Sequence, residues 1–117
     1  IKSFIMNANI IVGVGNIYAS EALFLAGIHP LRKCNSITSA ESAKLTKSIK
    51  IVLQAAIESG GSTLKDYANS NGELGYFQHK FKVYGRTENA CDTCTNPIEK
   101  IVITGRSTFF CATCQTP

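Results

Sequence analysis

Two thiol pairs, Cys91-x-x-Cys94 and Cys111-x-x-Cys114, stand near the end of this 117-residue chain with sixteen residues between them. A Cys-x-x-Cys turn bends the backbone enough for both sulfurs to reach one point, so two such knuckles converge on a single tetrahedral ion. The expected cofactor is one structural Zn2+ held by Cys91, Cys94, Cys111 and Cys114, because four thiolates leave no open position for water or substrate. Dithiol redox chemistry is the competing use of such pairs, and the paired spacing argues against it. Cys34 makes the cysteine count odd, which favours a reducing cytoplasm over disulfides. It reads as a small, partly buried thiol.

Three further sites could hold an anion. Gly13-Val14-Gly15-Asn16 precedes a helical pattern, and amides exposed at a helix N-terminus suit phosphate; a plain tight turn accounts for these residues equally well. The third glycine of a dinucleotide fingerprint is replaced by Tyr18, which excludes that cofactor. Arg106 projects a permanent five-donor cation from a metal-stiffened hairpin, although a lone hairpin arginine is more often simply solvated. Lys65 falls in a helix's first turn, where the macrodipole disfavours a cation, and so hints at a ligand. Tyr76, Phe77, Phe81 and Tyr84 could stack on bases or form a seam packing the finger on the helices. His29 and His79 receive no role. No serine elbow, histidine-rich metal site or carboxylate pair stands out.

These groups must be positioned by local structure. Ile98 to Ile103 and Arg106 to Phe110 read as two strands joined by Thr104-Gly105. Apolar spacing at Ile1, Phe4 and Ile5 suggests a short helix stopped by Asn7-Ala8-Asn9. A second helix runs from about Ile17 to Ala26, with Ala19, Ala22, Leu23 and Ala26 on one face and Ile17 and Phe24 on the other, so it is expected to be buried on more than one side. Gly27 caps it and Pro30 prevents its resumption. Thr38 and Glu41 form a capping box. Behind them Leu45, Ile49, Val52, Leu53, Ala56 and Ile57 define a long amphipathic helix whose outward face carries Lys44, Lys47 and Lys50. Ser59-Gly60-Gly61 ends it, a short helix follows through about Ala68, and Asn69 to Gly75 is a turn-rich loop. The fold class is mainly α, with a helical domain over 1–84 and a four-cysteine β-hairpin finger over 85–117. Metal removal is expected to unfold the finger and spare much of the helical part.

At 44% hydrophobic and 17% charged the chain is globular rather than disordered. Its apolar runs fall short of the ~20 residues of a membrane span, and no secretory leader opens it. The absence of an initiator methionine suggests a fragment or a processed product. The formal charge is +4, but four thiolates remove four charges and one zinc ion restores two, leaving about +2. That excess does not by itself argue for nucleic acid; distribution must carry the case.

Taken together, Gly13-Val14-Gly15-Asn16-Ile17-Tyr18-Ala19-Ser20-Glu21, Ala26-Gly27-Ile28-His29-Pro30, Gly60-Gly61-Ser62-Thr63-Leu64-Lys65-Asp66-Tyr67, Gly75-Tyr76-Phe77, Val83-Tyr84-Gly85-Arg86 and Gly105-Arg106-Ser107-Thr108-Phe109-Phe110-Cys111 resemble the C-terminal half of bacterial formamidopyrimidine-DNA glycosylase. The resemblance spans nearly the whole chain in consistent order. It implies a helix-two-turn-helix domain and zinc finger that grip bent double-stranded DNA at an oxidised purine. It implies phosphate contacts from Asn16, Tyr84 and Arg106, with Lys65 close to the damaged nucleotide and the loop ending at Tyr76 closing over the flipped base. Glu21 would face the family's N-terminal catalytic domain, or else be an ordinary surface glutamate.

The family's nucleophile is the amine of an N-terminal proline, whereas the prolines here are Pro30, Pro97 and Pro117. The resemblance therefore implies a parent DNA glycosylase/AP lyase and a 117-residue chain inactive by itself, with no catalytic residue in it. Two departures show: Asn7-Ala8 replaces the usual Asp-Gln or Asp-Asn before the glycine loop, and Thr95 stands where the first knuckle usually has glycine. The expected setting is a monomer in the bacterial cytoplasm, associated with the nucleoid, with no membrane contact. The alternatives are a zinc-ribbon module that binds protein through its aromatic seam, and an endonuclease VIII-like enzyme for oxidised pyrimidines.

Overall fold

A computed structural model describes residues 1–7, 14–58 and 81–115. Within them lie α1 (Lys2–Met6), α2 (Asn16–Ala26), α3 (Ser39–Glu58), β1 (Glu99–Ile103) and β2 (Arg106–Phe110), with a short 3-10 turn at Cys34–Ser36. The architecture is mainly helical with a two-stranded antiparallel hairpin. The short helix expected after Gly61 and the loop from Asn69 to Gly75 lie outside the described residues.

α2 is the central element. Ala19, Ala22, Leu23 and Ala26 meet Leu45, Ile49 and Val52 of α3 in one apolar cluster with Ile5, Val14, Ile28 and Phe81. The alanines let α3 approach closely, and burying each large aliphatic side chain contributes about 1.5 to 3 kcal/mol. Phe24 leaves α2 on the other side and joins a second cluster with Val83, Cys91, Ile98, Phe109 and Cys111. The helix is thus buried on two faces because the helical layer covers one and the finger covers the other.

Local rules fix the ends of the elements. Gly27 adopts φ 74°, and the Ile28 N–H reaches the Leu23 carbonyl at 3.0 Å, the six-to-one bond of a Schellman cap. Thr38 N–H donates to Glu41 Oε1 at 3.0 Å and Glu41 N–H to Thr38 Oγ1 at 3.1 Å, the reciprocal pair of a capping box. Arg32 ties this cap to the preceding connection through two 2.9 Å bonds to the Glu41 carboxylate. The apolar stripe of α3 ends at Ala56: Leu53 is half-buried, and Ile57, expected inside, is 73% exposed. Lys44, Lys47 and Lys50 face outward as expected. Cys34, expected to be partly buried, is exposed.

Ile103 pairs with Arg106 across the hairpin. Thr104 (φ 51°) and Gly105 (φ 77°) both lie in the left-handed region, which makes a two-residue turn of the I′ kind, matched to strand twist. Thr108, Phe109 and Phe110 are all buried, so β2 is covered on both faces and is the strand that meets α2.

Candidate functional site

The hairpin and its flanking turns bring four sulfurs together. Cys91 and Cys111 are buried, Cys94 and Cys114 half-buried, and their Sγ atoms all lie within 4.8 Å of one another. Cys91 and Cys114 stand 3.8 Å apart and Cys94 and Cys111 3.3 Å. A tetrahedron with Zn–S bonds of ~2.3 Å has edges of roughly 3.8 Å, so the cluster has the scale of a four-cysteine zinc site. The Thr93 and Cys114 N–H groups each donate to a knuckle sulfur at 3.4 Å, the outer support such sites carry. Thiols this close cannot all ionise unaided. The Asn96 backbone N–H helps bring Cys94 down to about 7, while burial and then its thiol neighbours push Cys114 up to about 12. A divalent cation resolves that conflict by taking all four as thiolates.

A second constellation sits where α1, the start of α2 and β2 meet. Gly15 is the N-cap of α2, in extended conformation, and Asn16 opens the helix. Asn16 Nδ2 donates to the Ser107 carbonyl at 2.9 Å, and its Oδ1 accepts from Lys2 Nζ at 2.5 Å. The same ammonium donates to Thr108 Oγ1 at 2.5 Å. Lys2 is only 2% exposed; burial, and then the positive Arg106, bring its ammonium down to about 8. Arg106 itself is exposed. Lys2, Ser3, Asn7, Thr104 and Arg106 line a common cleft of about 330 Å³. An arginine and a buried lysine lining one cleft, with a helix N-terminus bonded to that lysine, form an arrangement suited to an anion.

The structure therefore brings Asn16 against Ser107, the residue that follows Arg106 on β2. Tyr84 is half-buried; its ring packs edge-on against Phe109 (4.8 Å) and Phe81 (5.8 Å), so Tyr84 and Phe81 form the seam between finger and helices. Lys65 and Tyr76 lie outside the described residues. Glu21 is no surface glutamate. It is 5% exposed, and its carboxylate accepts the N–H groups of Lys82 at 2.7 Å and of Val83 and Tyr84 at 2.9 Å. Burial pushes its pKa up against those three donors, which favour the charged form. The sequence reading missed Lys2. Its placement three residues before the buried Ile5 on one helical face was the available signal. His29, given no role, packs its ring on Phe110 at 4.7 Å.

Comparison with known proteins bears on the fold and on the cysteine cluster. The formamidopyrimidine-DNA glycosylase H2TH domain matches residues 1–68, and the zinc finger found in FPG and IleRS matches residues 89–117. The formamidopyrimidine-DNA glycosylase of Hydrogenovibrio crunogenus is 56% identical over 115 residues, covering 98% of this chain and 41% of that protein. That of Legionella pneumophila is 53% identical over the same length, with 98% and 42% covered. The chain thus spans about two fifths of the length of these relatives. Among solved structures, the MutM (Fpg) protein of Thermus thermophilus superposes with a TM-score of 0.86 at 41% identity, covering 97% of this chain and 44% of that one. Lactococcus lactis Fpg in complex with DNA containing an abasic site superposes at 0.88 and 37% identity, covering 99% and 42%. The four cysteines are accordingly the site of one structural zinc ion. Among the described residues no helix is long and apolar enough to cross a membrane.

Proposed function

The chain belongs to the formamidopyrimidine-DNA glycosylase family, and from that membership we propose that it is the DNA-gripping part of a base-excision-repair DNA glycosylase/AP lyase that removes oxidised purines such as 8-oxoguanine and formamidopyrimidines. The observation that supports this reading most is the cleft that Lys2 and Arg106 line together, with Asn16 at the start of α2 bonded to Lys2 and to the Ser107 carbonyl beside it.

On this reading Arg106 and Asn16 hold phosphates flanking the lesion in double-stranded DNA. The Asn16 side chain is held by Lys2 and the Ser107 carbonyl, so its helix-terminal backbone N–H is the group offered to phosphate. Tyr84 adds a phosphate contact, Lys65 stands near the damaged nucleotide, and Tyr76 belongs to the loop that closes over the flipped base. The zinc ion stiffens the hairpin and takes no part in bond breaking. None of Pro30, Pro97 and Pro117 offers a free amine, so no catalytic residue is assigned in residues 1–117, and the chemistry belongs to a partner catalytic domain. We place the boundary between helical domain and finger at 84/85, since Tyr84 packs against both apolar clusters and Gly85 turns the backbone at φ 73°. The working form is a monomer in the bacterial cytoplasm, at the nucleoid.

Duplex binding tests the proposal. Two or three cationic phosphate contacts give a slope of roughly −2 to −3 in log affinity against log salt, measurable by fluorescence anisotropy. Arg106→Ala is expected to weaken binding by about 1.5 to 3 kcal/mol, the worth of a charge-assisted contact. Failure to bind any duplex favours a protein-binding zinc ribbon, and preference for an oxidised pyrimidine favours an endonuclease VIII-like enzyme.

A further inference from the structure

Gln115 follows the last zinc ligand and is fully buried. Its carboxamide spans two structures: Oε1 accepts the Cys111 N–H at 2.8 Å, and Nε2 donates to the Ile28 carbonyl at 2.9 Å. Its backbone N–H returns to the Cys111 carbonyl at 2.9 Å. The orientation of the amide is dictated by its partners, since a peptide N–H can only donate and a carbonyl can only accept. A flipped amide would leave both buried groups unmatched.

The Ile28 carbonyl belongs to the end of α2. The Ile28 N–H closes the cap of that helix on Leu23, Gly27 holds the left-handed turn, and the Cys114 carbonyl lies against Gly27, 3.5 Å from where a Cβ would stand. The other end of Gln115 is tied to the backbone of a zinc ligand. The knuckle holds its shape because four thiolates share one ion, so the place of the Cys111 N–H depends on metal.

We propose that Gln115 is a positioning residue coupling the metal knuckle to the C-terminal end of α2, so that zinc retention and closure of that helix end support each other. Coupling of this kind is reciprocal: what loosens one loosens the other. The inference goes beyond the phosphate grip and is measured without DNA, so its failure leaves the proposed function standing.

Two variants of the zinc-loaded chain test it from opposite ends. Gln115→Glu keeps the shape and the acceptor for Cys111 but sets an oxygen against the Ile28 carbonyl. Gly27→Ala leaves the knuckle intact and strains the helix end, whose φ of +74° disfavours any Cβ. Both are expected to speed zinc transfer to a colorimetric chelator by on the order of ten-fold, the usual effect of losing outer-shell support. Amide hydrogen exchange at Gly27 and Ile28 should accelerate in Gln115→Glu, and in the unaltered chain when zinc is removed. Cobalt(II)-substituted Gln115→Glu should retain a four-thiolate spectrum, showing that the ligands are unchanged. Wild-type zinc release in Gln115→Glu overturns the proposal. So does faster release without faster exchange at 27–28, or a Gly27→Ala chain whose helix end frays while its zinc release stays at the wild-type rate.

Discussion

Lys2 carries a charge that its surroundings make costly. Lys2 is 2% exposed, the two named acceptors of its ammonium are the neutral oxygens of Asn16 and Thr108, and Arg106 is close enough to repel it. Burial and that repulsion lower its pKa from 10.5 to about 8. The sign follows from proton counting. Between about 8 and 10.5 the unfolded chain holds the proton that the folded chain releases, so this group makes stability rise with pH across that window; below it the full cost of the buried charge is present. A phosphate in the cleft reverses the preference, because an anion favours the charged lysine. Duplex binding is therefore expected to take up a proton and to weaken as pH climbs through 8 towards 9. Affinity measured from pH 7 to 9 at fixed salt checks this. A Lys2→Met variant, which keeps the bulk and removes the charge, should bind more weakly at pH 7 and show a flatter profile.

The elements of this chain were legible wherever a local rule governs them. Thr38 and Glu41 are three residues apart, Gly27 caps the helix it follows, and Thr104-Gly105 joins strands that touch it directly; each was readable because partner and signal are neighbours. The roles of Lys2, Glu21 and Gln115 were not readable, since their partners lie up to 106, 63 and 87 residues away; single-sequence periodicity could put Lys2 on the buried face of α1 but carries no information about those partners. One local departure from the family's pattern does acquire a cause. Thr95, standing where glycine is usual, has φ 66°, a conformation that costs a non-glycine residue about 1 to 2 kcal/mol. Glycine relieves that strain but adds freedom to the unfolded chain worth about 0.5 to 1 kcal/mol. Thr95→Gly should therefore stabilise the zinc-loaded chain by about 0.5 to 1 kcal/mol in denaturant unfolding, the strain term being the larger. A loss of stability instead shows that the 2.5 Å bond from Thr95 Oγ1 to the Cys94 carbonyl outweighs the strain.

At the scale of the whole molecule the finger is no appendage. It lies along α2 and is fastened at the start by Asn16 to the Ser107 carbonyl and at the end by Gln115 to the Ile28 carbonyl; between these, Glu21 holds the amides of 82–84, the last residues before the finger, and Phe24 is seated in the finger's core. Metal removal, expected to unfold the finger and spare much of the helical part, would also take from α2 the cover of one face and its last fastening. The middle fastening tests how far the two parts are one body. Both Glu21 oxygens accept, so a glutamine can match one side and must turn its NH2 group towards the N–H donors on the other. Glu21→Gln should cost about 2 to 3 kcal/mol of stability, the penalty of buried donors left without an acceptor. A glutamate on an open surface would give a change within about 0.5 kcal/mol. The readout that separates a local from a shared role is the pattern of amide exchange in the variant. If finger and helices are one cooperative unit, protection falls together in α2 and in the β1–β2 hairpin; if they are separate, protection is lost around 82–84 alone while the rest of α2 and the β1–β2 hairpin keep theirs.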